Sequence, residues 1–192
     1  MNVGVIVLAA GEAKRFGSAK LATKVDGVAL VRRAAMAALA VGTQVVVVIG
    51  AHREAVETCI TDLAVERVFN AQWMQGMGGS IACGMAKLAL TVDAVLVMLA
   101  DQPLIGAAEL RRLIDAHAAA PEHIIAAQFE NVLGPPCLFP RHCFAELAVL
   151  QGEHGARALL QRHAQCVEVL PMPAAGLDID TPQDLSAFPS GA

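Results

Sequence analysis

Short strand-like runs, several of them wholly apolar, alternate along the chain with longer stretches in which apolar side chains return every three or four positions. The runs predict strands over 3–8, 44–49, 66–69, 94–99, 123–127, 136–139 and 166–170. The periodic stretches predict helices over 27–41, 52–64, 79–90, 106–119, 141–150, 154–163 and 182–187. Val45-Val46-Val47-Val48-Ile49 and Val95-Leu96-Val97-Met98-Leu99 contain no polar residue, the pattern of a strand covered on both faces. Such alternation predicts an α/β fold with a mainly parallel central sheet and helices on both sides. Residues 128–140 depart from the pattern. Phe129 to Pro136 is too proline-rich for a central strand and reads equally as an excursion over a site or as a surface loop. Trp73, the only tryptophan, is assigned to the core.

Composition narrows the picture. A length of 192 residues suits one domain spanning 1–192. No apolar run is long enough for a bilayer, and no charged segment precedes an apolar one as in a secretory signal. The net charge of −4, without a basic stripe, argues against nucleic acid and anionic membrane as partners. The five cysteines form no Cys-x-x-Cys pair, so neither a zinc site nor a disulfide framework is expected, and a reduced cytoplasm is the expected location. The six histidines show no ligand spacing on one helix face and are assigned to the surface or to caps.

The first strand runs directly into Gly11-Glu12-Ala13-Lys14-Arg15-Phe16-Gly17-Ser18-Ala19-Lys20. Glycine lets backbone N–H groups approach a ligand, and Arg and Lys neutralise phosphate. A strand ending in such a loop points to a nucleotide phosphate site at the carboxyl edge of the sheet. The spacing matches neither a Walker A loop nor a dinucleotide fingerprint, since Ala13 occupies the place of the second glycine. Asp101-Gln102-Pro103 follows the apolar run 94–99 on the same edge. A carboxylate facing polyphosphate needs a cation between them, and Mg²⁺ is held in this way. In Asp178-Ile179-Asp180-Thr181-Pro182-Gln183-Asp184, Thr181, Pro182 and Asp184 form a helix start. Asp178 and Asp180 are left over; either completes the metal site, with Asp180 favoured. Asn70 to Ile81 contains Gly76, Gly78 and Gly79 before Ser80, freeing the backbone to hold a base or a second substrate.

Together these motifs resemble the molybdenum cofactor cytidylyltransferase branch of the MobA-like nucleotidyltransferase family. Gly134-Pro135-Pro136-Cys137-Leu138-Phe139 and Gly152-Glu153-His154-Gly155-Ala156-Arg157 fit the same branch, so the likeness covers most of the chain. The resemblance implies a Rossmann-like three-layer sandwich of the nucleotide-diphospho-sugar transferase type. It also implies transfer of CMP from CTP to molybdopterin cofactor, with release of pyrophosphate. Residues Leu8, Ala9, Ala10 and Gly11 then lie at base and ribose, Arg15 and Lys20 hold phosphates, and Gly78, Gly79 and Ser80 flank the base. Asp101 binds Mg²⁺, for which Mn²⁺ can substitute, and Asp180 is the second ligand. Arg15, Lys20 and Asp101 are the implied catalytic residues, and transient contact with a molybdoenzyme or its chaperone is the implied protein partnership. Ala13, Gly79 and Glu153 depart from the residues frequent in the family at those positions. Ala9-Ala10-Gly11 stands where the family's guanylyltransferases carry Ala-Gly-Gly, and a methyl at position 10 favours a pyrimidine. Competing readings are a MobA-type guanylyltransferase, a sugar- or polyol-phosphate cytidylyltransferase, a dinucleotide-binding oxidoreductase and a non-catalytic cofactor chaperone.

Overall fold

The computed structural model describes residues 1–13, 16–88, 91–153 and 155–187. Its sheet contains β1 (Val3–Ala9), β4 (Gln44–Ile49), β5 (Glu66–Phe69), β6 (Ala94–Leu99), β7 (Ile124–Phe129), β8 (Val132–Pro140) and β9 (Val167–Pro171). The order is β5-β4-β1-β6-β8-β7-β9. All neighbours pair in parallel except β8, which is antiparallel to both β6 and β7.

Helices cover both faces because every residue of β1 is buried and successive side chains point to opposite sides. Val5, Val7 and Ala9 pack with α1 (Leu30–Leu39) and α4 (Ala107–Ala119). Ile6, Leu8 and Ala10 pack with α3 (Met77–Met85), α5 (Phe144–Leu147) and α6 (Arg157–Arg162). Helix α3 lies close to the sheet at Gly84, where a Cβ would come within 2.8 Å of Ile6. The remaining helices are α2 (Arg53–Cys59) and α7 (Pro182–Ala187).

Several expectations change. The expected helix 27–41 begins at Leu30, because β2 (Lys24–Val25) and β3 (Val28–Ala29) form a hairpin first. Asp26 and Gly27 turn it with φ of 49° and 79°, as an Asp-Gly type I′ turn requires. Helix α3 runs over 77–85 rather than 79–90. The proline-rich stretch is neither an excursion nor a surface loop, since it belongs to β8, inside the sheet. Pairing with β7 passes from Ala126↔Cys137 to Ala127↔Gly134. The two extra residues are Pro135 and Pro136, so the residues lacking an N–H sit in a bulge where no ladder bond is required. His117, assigned to the surface, is buried in α4 with Nδ1 3.3 Å from the His123 carbonyl oxygen.

Candidate active site

The carboxyl ends of β1 and β6 open into a cleft of about 280 Å³. Leu8, Ala10 and Gly11 line it on one side and Trp73, Ser80 and Asp101 on others, with Lys20 reaching in. Ala100 N donates to Leu8 O over 3.1 Å, so Asp101 emerges beside the end of β1. Lys20 opens a 3-10 turn over Lys20–Ala22, held where Thr23 N donates to Lys20 O over 2.9 Å.

Lys20 is 6% exposed. Its Nζ donates to Asp101 Oδ2 at 2.7 Å and to Asp180 Oδ1 at 3.1 Å. Burial disfavours the ammonium, but the charges and hydrogen bonds of Asp101 and Asp180 outweigh it and hold the Lys20 pKa above its usual value. Asp180 is brought across the cleft because Ile179 N donates to Asp101 O over 3.1 Å. Its backbone is fixed by the start of α7. Asp180 N and Thr181 N donate to Asp184 Oδ2 at 3.0 and 2.8 Å, and Asp184 N donates to Thr181 Oγ1 at 3.3 Å. This is the reciprocal cap expected from Thr181 and Asp184. Partial burial, followed by repulsion from Asp101, pushes Asp178 up to about 6.

Asp101 Oδ1 is buried and has no hydrogen-bond partner among the described residues. That free oxygen and two carboxylates sharing one cation suit a hard divalent ion. No group of three or more His, Cys, Asp or Glu side chains is arranged for a metal among the described residues. Asp101 and Asp180 would therefore hold such an ion only with further ligands from outside the chain, as Mg²⁺ is commonly held by one or two carboxylates.

Other candidate residues lie elsewhere. Ala9 is on the opposite face of β1, in the core with α1 and α4. Gly78 donates its N–H to Gly152 O over 2.9 Å, and a Cβ there would come within 2.7 Å of the Gln151 backbone. Gly79 faces a neighbouring cavity with Asn70, Gln72 and Cys83. Ser80 reaches the cleft but its Oγ accepts from Asn70 Nδ2 at 3.0 Å. Arg15 lies outside the described residues, as does His154.

Two residues gain roles that sequence reasoning missed. Trp73, expected in the core, is a half-buried wall of the cleft. It sits over Gly50, where a Cβ would come within 2.6 Å of the Trp73 Cβ; the glycine closing the valine run of β4 was the available signal. Gln102 is buried, and its Nε2 donates to Pro135 O at 3.2 Å and Ala175 O at 2.8 Å. It braces the bulge of β8 beside the cleft.

A family model described as "MobA-like NTP transferase domain" matches residues 5–167. The purine catabolism protein PucB of Bacillus subtilis is 29% identical over 191 residues, covering 93% of this chain and 92% of that one. The nicotine blue oxidoreductase of Paenarthrobacter nicotinovorans is 31% identical, covering 94% of this chain and 93% of that one. Among solved structures, Rv0371c from Mycobacterium tuberculosis H37Rv superposes with a TM-score of 0.83 at 26% identity, over 97% of this chain and 96% of its own. A second structure of Rv0371c, at a TM-score of 0.80 and 25% identity over the whole of both chains, is a complex with manganese.

Proposed function

Because the chain belongs to the MobA-like NTP transferase family, we propose that it transfers CMP from CTP to the phosphate of molybdopterin cofactor and releases pyrophosphate. The observation that carries this reading is the buried Lys20 bridging Asp101 and Asp180 at the mouth of β1 and β6. An oxygen of the acceptor phosphate bonds to the α-phosphorus of CTP as the bond from that phosphorus to the β-phosphate bridge breaks. The attacking oxygen is already anionic, so no side chain has to take a proton. The work is placement and neutralisation of charge. Lys20 supplies a permanent ammonium for the phosphates. Gly11 leaves the backbone of the loop open, since a Cβ there would meet nothing within 4 Å. Asp101 and Asp180 would hold Mg²⁺ or Mn²⁺, which when bound would supply positive charge against the phosphates. The methyl of Ala10 on the cleft wall favours cytosine over a purine.

The manganese complex of Rv0371c supports a divalent ion. The name of PucB supports a place beside purine breakdown, the setting of hydroxylases of the xanthine dehydrogenase type. Five cysteines with no disulfide suit a reducing cytoplasm. The test is pyrophosphate release from each NTP with molybdopterin, mannose phosphate, ribitol phosphate and no acceptor. Release only with CTP and molybdopterin is expected; no release with any pair sinks the proposal. The relative named as an oxidoreductase favours a second reading, hydride transfer. Saturable NADH or NADPH binding in a fluorescence titration, without pyrophosphate release, would establish it instead.

A further inference from the structure

We infer that His52 is a positioning residue for the phosphate loop: its imidazole fixes the chain that leaves β1 in the shape that receives a nucleotide. The inference rests on the nucleotidyl-transfer reading and deepens it.

The parallel ladder between β1 and β4 ends at Ala9↔Ile49. Beyond it the two chains stay together through three successive residues. At Gly50 the backbones come so close that a Cβ would lie 2.4 Å from Ala10 O. Ala51 N donates to Ala10 O over 3.0 Å. His52 Nε2 then lies 3.3 Å from Glu12 O. A carbonyl oxygen only accepts, so Nε2 carries the proton and donates. The first two contacts are made by backbone and tolerate many sequences. The third is made by a side chain and reaches furthest into the loop.

A second observation singles out the same residue. His52 has φ of 53° and ψ of 35°, a left-handed conformation that a residue with a Cβ seldom adopts and that glycine adopts freely. The turn from β4 into α2 would thus be served best by glycine. The histidine is accounted for by what its ring does. That ring lines a narrow gap under the loop, with Gly11 on one side and Ala19 and Lys20 on the other, so it stands where the two ends of the loop come together.

Glu12 precedes the loop's own turn, in which Ala13 has φ of 53° and Phe16 N donates to Ala13 O over 2.9 Å. Fixing the Glu12 carbonyl fixes the start of that turn. Backbone groups held in place before a phosphate arrives bind it without the cost of ordering the loop. His52 itself is exposed, so its replacement acts on the loop and spares the core.

Three variants separate the ring from the turn. His52→Ala removes the ring and keeps the strained backbone. His52→Gly removes the ring and relieves the strain. His52→Gln keeps an N–H donor at similar reach. On the full chain, CTP binding is measured by calorimetry, exchange of the Phe16 amide by nuclear magnetic resonance without ligand, and turnover by pyrophosphate release. The alanine and glycine variants should each bind CTP about tenfold more weakly and raise its KM in proportion, with kcat within about threefold. Their Phe16 amide should exchange about fivefold faster or more. His52→Gln should stay within about threefold of wild type in affinity and exchange. His52→Gly should melt above His52→Ala yet bind CTP no better. A glycine variant that regains wild-type affinity, or an alanine variant with unchanged Phe16 exchange, overturns the assignment and leaves His52 a turn residue only. The exchange measurement needs no nucleotide. Faster exchange as described, in a protein that releases no pyrophosphate with any NTP, upholds the role of His52 and defeats the transferase reading. Unchanged exchange beside normal release from CTP does the reverse.

Discussion

The cleft and a second cavity, of about 280 Å³ between α3, β6, β8 and α6, meet at Met77 and Leu99 but are built in opposite ways. The charged cleft stands at the ends of parallel strands and holds one buried ammonium between two carboxylates. The second cavity leans on β8, the one antiparallel strand among its parallel neighbours, and its floor of Ile81, Val97 and Leu160 is apolar. A parallel strand ends where its loop begins, so polar residues just after it are delivered to one edge. The antiparallel β8 carries its own body past that edge and offers mainly aliphatic groups and proline. Charge thus dominates one cavity and apolar shape the other.

The sharpest way to break this division is Asp101→Asn, which keeps the shape and removes the charge. Turnover should fall by about 10³-fold in the pyrophosphate-release assay. A variant that unfolds, or one that remains active at low Mg²⁺, would assign the carboxylate a structural role. Asp180→Asn should give a milder form of the same loss, since it is the more exposed partner of Lys20.

Lys20→Ala comes next. Turnover should drop by about 10²-fold, the scale of one lost preorganised donor. A second readout separates roles. In the protein without ligand, the ammonium occupies the carboxylates that a divalent ion would use. Its removal should therefore tighten Mn²⁺ binding in the absence of nucleotide by about tenfold, measured by electron paramagnetic resonance. Weaker Mn²⁺ binding in the variant would show that Lys20 supports the carboxylates rather than competing for them.

The charged cleft was the more legible of the two in the sequence, for a physical reason. Strands β4 and β6 have the bounds read from their largely apolar runs, Gln44 being the one polar residue and only partly buried. Glycine, lysine and aspartate immediately after such runs then stand out as punctuation. Lys20, Asp101 and Asp180 come from distant stretches, yet each was visible locally. Ala9 was misplaced because the loop motif was treated as a block, whereas strand alternation puts Leu8 and Ala10 on one face and Ala9 on the other. The second cavity was hidden. Ile81, Val97 and Leu160 look like core residues wherever they stand, and Pro135-Pro136 argued against a central strand. Only the β7–β8 register shows that those prolines sit in a bulge.

A smaller effect tests shape selection inside the charged cleft itself. Ala10 is 6% exposed and lines its wall. Ala10→Gly should raise kcat/KM for GTP by about tenfold and leave that for CTP within about threefold, because one methyl is removed from the path of a larger base. No gain for GTP would place base selection on other walls, Trp73 first among them.

The smallest predicted effect separates acid loss of the fold from acid loss of the site. Asp178, pushed up to about 6, takes up a proton near the cleft as pH falls, so a decline in activity invites that explanation alone. His117 offers another, away from both cavities. Burial lowers its pKa, and the hydrogen bond to the His123 carbonyl opposes this only in part. In the unfolded chain an imidazole protonates near about 6.5, while in the folded chain it stays neutral to lower pH. Its contribution to stability is therefore complete above about pH 6.5 and is lost as pH falls from there through the lower folded value. His117→Gln removes the titration and keeps a side-chain donor for the carbonyl. Melting temperatures of wild type and variant, compared between about pH 7.5 and 5, should diverge on the acid side by about 1–3 °C, with the wild type falling more steeply. Parallel curves would clear His117 and return the whole acid response to the cleft.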